Sequence, residues 1–403
     1  MPEATILQQE APPLPVAEIH RLIRERIAPH FAEFRQCRST TELRALPSYR
    51  AVEGDISTVL ETPEVGDFSA GPAPTRPSYR FVAWNLERGI QFDGQLDAFQ
   101  NHAYLRSGDV FLLTETDVGM ARTRNRAVVQ ELAARLKMHF AFVPCYLNLT
   151  KGSGVEPEME GENTLGLHGN AILSRYPIRN VRPIHLKNGI DKMAGREKRL
   201  GRQTALAAEI AFPNYRATAV SVHLDANSSQ RHRAEQMRQV LNAVAADHPV
   251  ILGGDWNTTT YNSSRAVTAI LGFWLRVFMG VDNVIRNHYL HPERYFERGL
   301  FTMLEARGYD FQRCNLPGER TISYDSNDPK TRKILGEWVP AFCFPFMRWA
   351  LRNHGGACPL KIDWFATRGA RAENPFVVHD LREGRSVPLS DHDAIGIDVL
   401  VAD

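Results

Sequence analysis

A chain of 403 residues with 43% hydrophobic and 23% charged residues has the composition of a globular protein with a large core, which excludes disorder throughout. Its formal net charge of +2, from 48 basic against 46 acidic residues, excludes the basic excess usual among DNA binders, so any attraction for a polyanion must be local. The five cysteines, Cys37, Cys145, Cys314, Cys343 and Cys358, are scattered without Cys-x-x-Cys spacing, which argues against a zinc cluster or a disulfide framework.

The opening Met1-Pro2-Glu3-Ala4 lacks the basic and apolar stretches of a signal peptide, and a cytoplasmic location is expected. Over residues 15–36, Val16, Ile19, Leu22, Ile23, Ile27, Phe31 and Phe34 recur at helical spacing, which predicts an amphipathic helix within an N-terminal helical extension spanning 1–61. Residues 62–78, with Pro63, Pro72, Pro74 and Pro77, read as a linker to a catalytic domain over 79–403. From Tyr79 onward short apolar runs alternate with helical stretches. Strands are expected at Phe81–Trp84, Val110–Leu113, Ala171–Leu173, Ala205–Ile210, Ala217–Val222, Val250–Leu252, Ile362–Ala366 and Ala394–Val399, and helices at 124–137 and 229–246. The strands lie too close together in the middle for a purely parallel wound sheet. Two packed mixed sheets flanked by helices fit better, a four-layer α/β/β/α sandwich.

Polar residues repeatedly stand where an apolar run stops. Asn85 follows Val82-Ala83-Trp84, Glu115 follows Leu112-Leu113, and His223 follows Ala219 to Val222. Asp255 and Asn257 follow Val250 to Gly254, and Asp391 and His392 precede the last apolar run. One such residue is an ordinary turn former; six or more, all Asn, Asp, Glu or His, become a cluster if the strands end on one edge. Clustered carboxylates repel, and a hard cation such as Mg²⁺ (or Mn²⁺) resolves the repulsion through oxygen ligands. Neutral histidines are then left for proton transfer or phosphate contact, a combination suited to phosphate-ester hydrolysis.

The motifs Trp84-Asn85-Leu86, Leu112-Leu113-Thr114-Glu115, Gly169-Asn170-Ala171-Ile172-Leu173-Ser174, Ser221-Val222-His223-Leu224-Asp225, Gly253-Gly254-Asp255-Trp256-Asn257, Lys361-Ile362-Asp363-Trp364 and Ser390-Asp391-His392-Asp393 occur in this order. Together they resemble the endonuclease/exonuclease/phosphatase superfamily, with its DNase I-like fold, over roughly residues 80–400. The resemblance implies Glu115 as the main metal ligand, with Asn85 and Asp391 nearby. It implies that Asp255 orients or deprotonates the attacking water and that Asn257 donates to phosphate oxygens. It makes His392 the catalytic histidine, Asp363 the carboxylate that holds its tautomer, and His223 an additional phosphate-binding histidine. Asn170, read as a turn residue before a strand, and Arg202, in the basic run Arg196, Lys198, Arg199, Arg202, are candidate phosphate contacts. Arg88 and Arg122 to Arg126 are further basic candidates, and Asp225 and Asp393 are read as supporting residues.

Two departures weigh against an abasic-site endonuclease: Asp117 stands where that branch carries lysine, and Leu167-His168 stand where it carries tyrosine. The run Thr258-Thr259-Thr260-Tyr261-Asn262 weighs against the inositol polyphosphate phosphatases. An insertion over about 265–360 separates Asn257 from Asp363 and is rich in aromatics, among them Trp274, Phe278, Phe344 and Trp349. Its apolar run is too short for a transmembrane helix and contains Arg276. The insertion is expected to shape substrate choice and to contribute little to the chemistry. The expected activity is a phosphodiesterase or nuclease acting on a phosphate ester of nucleic acid or phospholipid. The alternatives are a sphingomyelinase-like lipid phosphodiesterase and a catalytically silent binding protein of the same fold.

Overall fold

Odd–even alternation along the strands builds the layers. The computed structural model describes residues 15–244, 248–327 and 341–400. In β2 (Ser78–Arg88), Val82, Trp84 and Leu86 enter one apolar cluster while Tyr79, Phe81 and Ala83 enter another. In β3 (Val110–Val118), Phe111 and Leu113 go one way and Val110 and Leu112 the other. Both faces of these strands are therefore covered, which is why they read as continuous apolar runs.

The first sheet takes the order β1 (Glu64–Asp67), β4 (His139–Asn148), β5 (Leu167–Ser174), β3, β2, β15 (Ala394–Leu400), β14 (Arg371–Val378), with β7 (Arg199–Gly201) paired to β4. The second takes the order β13 (Asp363–Arg368), β10 (Val250–Asp255), β9 (Tyr215–Ser221), β8 (Thr204–Phe212), β6 (Ile178–His185). The pairs β2–β3 and β9–β10 are parallel within otherwise antiparallel sheets. The inner faces meet in one core that includes Phe81, Leu112, Ile172, Leu206, Ala219, Ile251, Phe365 and Ile397.

Helices cover the outer faces. On the first sheet lie α1 (Val16–Leu22), α2 (Phe31–Phe34), α3 (Thr40–Ala45), α4 (Pro47–Glu61), α5 (Phe92–Asn101) and α6 (Val128–Leu136), whose buried residues share a cluster with Trp84, Phe140 and Phe142. On the second lie α7 (Gln230–Ala243) and α10 (Arg298–Ala306), packed through Met237, Val240, Leu300, Phe301 and Leu304 against Trp256 and Trp364. The result is the four-layer α/β/β/α sandwich.

Two local expectations change. The helix expected over 15–36 is divided: α1 passes into a π-helical turn at Ile23–Ile27 and a 3₁₀ turn at Ala28–His30 before α2. Pro29 lacks the N–H that a continuous helix needs there. Within the stretch read as a linker, Glu64–Asp67 forms an edge strand on β4, with Glu64 buried and paired to His20 at 2.9 Å.

The insertion belongs to two neighbourhoods. Its middle, through α10 and Tyr309-Phe311, enters the core around Trp364. A smaller cluster joins α9 (Val281–Val284), Ile285, Tyr289, Leu360 and Ile362 with Ile322 of β11 (Ile322–Asp325), which pairs with β12 (Ala357–Leu360). By contrast α8 (Ala266–Phe278) and α11 (Phe344–Ala350) stand at the surface with exposed aromatic and aliphatic side chains.

Candidate active site

The same alternation that fills the inter-sheet core also places polar groups at one end of it. Asn85 continues the inward series Tyr79, Phe81, Ala83; His223 follows Ala217 and Ala219; Asp255 follows Ile251; Asp363 precedes Phe365. Gly254 lets the strands close there, since a Cβ on it would lie 2.2 Å from the Val222 carbonyl oxygen, and its φ is +136°. Glu115 and Asn257 hold left-handed backbone conformations, with φ of 51° and 50°. Non-glycine residues adopt this region at a cost of order 1 kcal/mol, sustained here by the surrounding strands.

Asp255 and Asp363 are cross-strand partners in the β10–β13 ladder, so two carboxylates face the same side directly opposite each other. His392 resolves the repulsion. Its Nδ1 donates to Asp363 Oδ2 at 2.9 Å and lies 3.1 Å from Oδ1, while its Nε2 is 3.8 Å from Asp255 Oδ2. Ser390 fixes the histidine's backbone: its hydroxyl donates to the Asn85 carbonyl at 2.6 Å and accepts from His392 N at 3.1 Å. Trp84 Nε1 donates to the His392 carbonyl at 3.1 Å. Asp255 also accepts from Asn257 N at 2.8 Å and from Asn85 Nδ2 at 3.2 Å. His223 Nε2 stands 3.5 Å from Asp255 Oδ2 and 3.9 Å from Glu115 Oε1. The Asn257 amide donates to the Leu224 carbonyl at 3.0 Å, leaving one N–H for another acceptor.

These contacts set the protonation states. Burial disfavours charge on His392, but Asp363, Asp255 and Asp391 together hold its imidazole well above the usual histidine range. Burial lowers His223 more than Asp255 and Glu115 raise it. Asp255 is pushed up to about 6, by burial first, against the pull of His392, with Asp363 adding to the rise. Burial also raises Glu115, but Arg88, then His223, His168 and His392, outweigh it and keep the carboxylate ionised.

Glu115, Asn85 and Asp391 offer oxygen donors only, as Mg²⁺ or Mn²⁺ requires. Glu115 is anionic and partly open to solvent, Asp391 is exposed, and among the described residues no cation is paired with Asp391. The set fits a hard divalent cation. The tightest group of potential ligands is a different one, Asp255, Asp363 and His392, whose atoms lie within 4.8 Å of one another. There both Asp363 oxygens are already engaged by an imidazole N–H, which suits proton handling better than metal ligation.

Arg88 and Arg122, named in the sequence only as basic candidates, form a buried charge network behind Glu115. Arg88 lies 3.3 Å from Glu115 and 2.8 Å from Glu156; Arg122 lies 2.7 Å from Asp117, 3.0 Å from Glu156 and 3.1 Å from Glu197. Asp117 also accepts from His168 at 2.8 Å. The departures at positions 117 and 168 are thus parts of one ion-pair assembly. Asp225 is held at 2.9 Å by Lys192, and Asp393 by Arg382 at 3.0 Å and His379 at 2.9 Å.

Of the two phosphate contacts expected, Arg202 is not brought into the cluster, whereas Asn170 shares the inward face of Ile172 and stands opposite the β3 bulge that carries Glu115. Asn170 lies within β5 and not in a turn, and its amide donates to the Thr204 carbonyl at 2.8 Å. Arg202 is exposed on a cleft beside α3 and α4. Lys198 and Arg199 of the same run are also tied down, Lys198 to backbone carbonyls and Arg199 to Glu197 and the Tyr146 ring.

Tyr324 of the insertion was missed. An isolated bridge between Ile322 and His392 and a hydrogen bond of 2.8 Å from Asp393 N to the Thr321 carbonyl dock β11 beside the histidine. The Tyr324 phenol is pushed far above its ordinary range by burial and by the facing carboxylates of Asp391, Asp255 and Glu115. Through Tyr324 the insertion supplies one wall of the site.

Among curated proteins none matches this sequence. A structure of an endonuclease/exonuclease/phosphatase from Beutenbergia cavernae is 15% identical, covering 81% of this chain and 72% of that one with a TM-score of 0.47. The human Nocturnin catalytic domain is 14% identical over 84% of this chain and 96% of that one, with a TM-score of 0.43. A 3'-5' exonuclease from Neisseria meningitidis is 13% identical over 79% and 98%, with a TM-score of 0.44. The sequence model of the Endonuclease/Exonuclease/phosphatase family matches residues 82–392, a span that begins inside β2 and ends on His392 itself. Every motif that builds the cluster falls within that span, and the chain belongs to the endonuclease/exonuclease/phosphatase family.

Proposed function

We propose that this chain is a divalent-metal-dependent phosphodiesterase. The observation that carries the reading is the convergence of Asp363, His392, Asp255, His223, Asn85 and Glu115 at one end of the inter-sheet core. Members of the family are typically metal-dependent phosphoesterases. Glu115, Asn85 and Asp391 would hold the cation, which when bound would supply electrophilic stabilisation of the phosphate oxygens. Asp255, held by Asn257 N and Asn85, is placed to orient the attacking water and take its proton. His392, charged and oriented by Asp363, stabilises the developing charge at phosphorus, and the free N–H of Asn257 donates to a phosphate oxygen. His223 is a second donor on the same side.

Turnover of bis-p-nitrophenyl phosphate with Mg²⁺ or Mn²⁺ tests the reading, and its absence under both metals overturns it. Full activity in excess EDTA removes the metal from it. Glu115→Gln is expected to raise the Mg²⁺ concentration needed for half-maximal activity, because an amide presents no charge to a hard cation. A silent binding protein of the same fold predicts no turnover by the wild type.

A further inference from the structure

An apolar cavity of about 370 Å³ opens beside the candidate site, within the range of ligand pockets. Asn257 and Tyr324 belong to both, so the cavity adjoins the phosphate centre. Its remaining wall comes mainly from α8, α11 and the Tyr261–Tyr289 pair. Among the described residues Arg276 is the single charged one in that wall. It is buried, donates to the Gly272 carbonyl at 2.8 Å and to Thr260 Oγ1 at 3.0 Å, and lies over the rings of Tyr261 and Phe296. Among the described residues no cation of the wall is left for a nucleic-acid backbone.

The outer side of the same elements is also apolar. On α8, Val267, Leu271, Leu275 and Phe278 form a stripe at helical spacing, with Phe278 84% exposed. On and beside α11, Phe342, Phe346 and Trp349 form another, and the ring of Phe346 meets Trp274 at 5.6 Å, joining the two helices. A helix apolar on both faces belongs between two apolar environments. Exposed arginines, Arg265, Arg286, Arg348 and Arg352, flank these stripes. No single helix among the described residues is long and apolar enough to cross a membrane. The pair Ala266–Phe278 and Val281–Tyr289 has that length and composition together but bends by 107°. Such a bend suits entry into one leaflet.

We propose that the substrate is a phosphodiester lipid, taken from an anionic membrane surface. The apolar stripes enter the headgroup–acyl boundary, the arginines meet anionic headgroups, and a hydrocarbon chain fills the cavity while its phosphate lies against Tyr324 and Asn257. The part of this that concerns turnover rests on the phosphodiesterase reading; the binding part does not.

Three measurements on the full chain test it. With p-nitrophenyl alkyl phosphodiesters and Mg²⁺, kcat/KM is expected to rise about three- to fourfold per added methylene until the cavity is full. A flat series on an enzyme that turns over bis-p-nitrophenyl phosphate overturns the proposal and leaves the hydrolase reading intact. If that small diester is not cleaved, the hydrolase reading falls, and calorimetric binding of dodecyl phosphate against ethyl phosphate decides the cavity: equal affinities overturn the proposal. Finally, the protein is expected to sediment with phosphatidylcholine vesicles containing phosphatidylserine. The double variant Leu271→Asp, Phe278→Asp, checked for an unchanged thermal unfolding midpoint, is expected to bind at least about tenfold more weakly. Absence of wild-type sedimentation, or a folded variant that sediments equally well, overturns the membrane docking.

Discussion

His392 is useful because two carboxylates that repel each other need it. Asp255 and Asp363 face one another across the β10–β13 ladder, and the imidazole bridges them with one nitrogen at 2.9 Å from Asp363 and the other at 3.8 Å from Asp255. Removing the ring therefore leaves an uncompensated pair of buried acids as well as an empty place in the proposed site. His392→Ala and Asp363→Asn are each expected to lower kcat by about 10²–10⁴. Because both act through one imidazole, the double variant is expected to be little worse than the more damaged single one. A double variant with the full product of the two losses breaks the pairing. Asn85, His223 and Asp255 could be named from the sequence because each ends an apolar run whose alternation also aims its last residue between the sheets, while Asp363 and His392 precede such a run and were named by their motifs. Tyr324 could not be named that way. It lies in a short strand of the insertion with no motif around it, and the bridge from Ile322 to His392 and the hydrogen bond from Asp393 N to the Thr321 carbonyl bring it to the site. Arg202 shows the opposite case: a basic run named it, but it stands exposed on the cleft beside α3 and α4.

Three strands that resist sequence reading here share a feature. The strands β4, β6 and β14 contain Pro144, Pro183 and Pro375, and each has a break in its pairing register near the proline or at the sheet edge. The strands that were foreseen lack prolines and are covered on both faces. The charge network behind Glu115 was equally hidden, because its members come from β2, β3, β5, a short turn and the basic run. Within it Glu197 is raised by burial but lowered more by Arg199, Arg122 and Arg88, to about 2 from an ordinary 4.5. A depressed carboxylate stabilises the fold above its unfolded value, and the contribution disappears as pH falls through the folded one. At ~1.4 kcal/mol per unit, Glu197→Gln is expected to cost about 3 kcal/mol at pH 7, and the gap to wild type is expected to narrow to roughly half at pH 3. Urea unfolding of both proteins at the two pH values measures it; a gap independent of pH removes Glu197 from the network's energetics. The insertion gives a second contrast between elements. Phe301 on α10 is buried with its ring 4.6 Å from Trp364 and 4.8 Å from Phe311, so Phe301→Ala is expected to cost about 3–5 kcal/mol. Leu271 on α8 is 64% exposed, and Leu271→Ala is expected to stay within about 0.5 kcal/mol. Equal losses at the two positions contradict the division of the insertion into a packed middle and an exposed pair of helices.

At the scale of the whole molecule, the family match begins at residue 82, but the outer layer on the first sheet begins with α1. Ile19, Ile23, Ile27, Phe34, Val52, Ile56 and Val59 are buried in the same cluster as Phe140 and Phe142 of β4, and no separate core is formed by the N-terminal helices. Polar ties reinforce the contact: His20 pairs with Glu64 on β1, and Thr40 donates to Asp191 through its backbone N–H at 2.7 Å and its hydroxyl at 2.6 Å. Lys198 reaches the Cys37 carbonyl from the loop that carries Glu197 and Arg199. The helices thus rest on the segment that supplies the Glu115 network, although none of their residues enters the catalytic cluster. Deleting residues 1–61 is expected to expose the Phe140–Phe142 face and to loosen the loop from Asp191 to Arg199. Burial of each large apolar side chain is worth about 1.5–3 kcal/mol, and a loss of 1 kcal/mol shifts the midpoint of a chain this size by about 1–2 °C, so several such losses exceed the stability of an ordinary domain. The expected outcome is an insoluble product or a chain without a cooperative thermal transition. A soluble 62–403 fragment melting within about 2 °C of the full chain would mean that the helices are an appendage, and that the layer over β4 is completed without them.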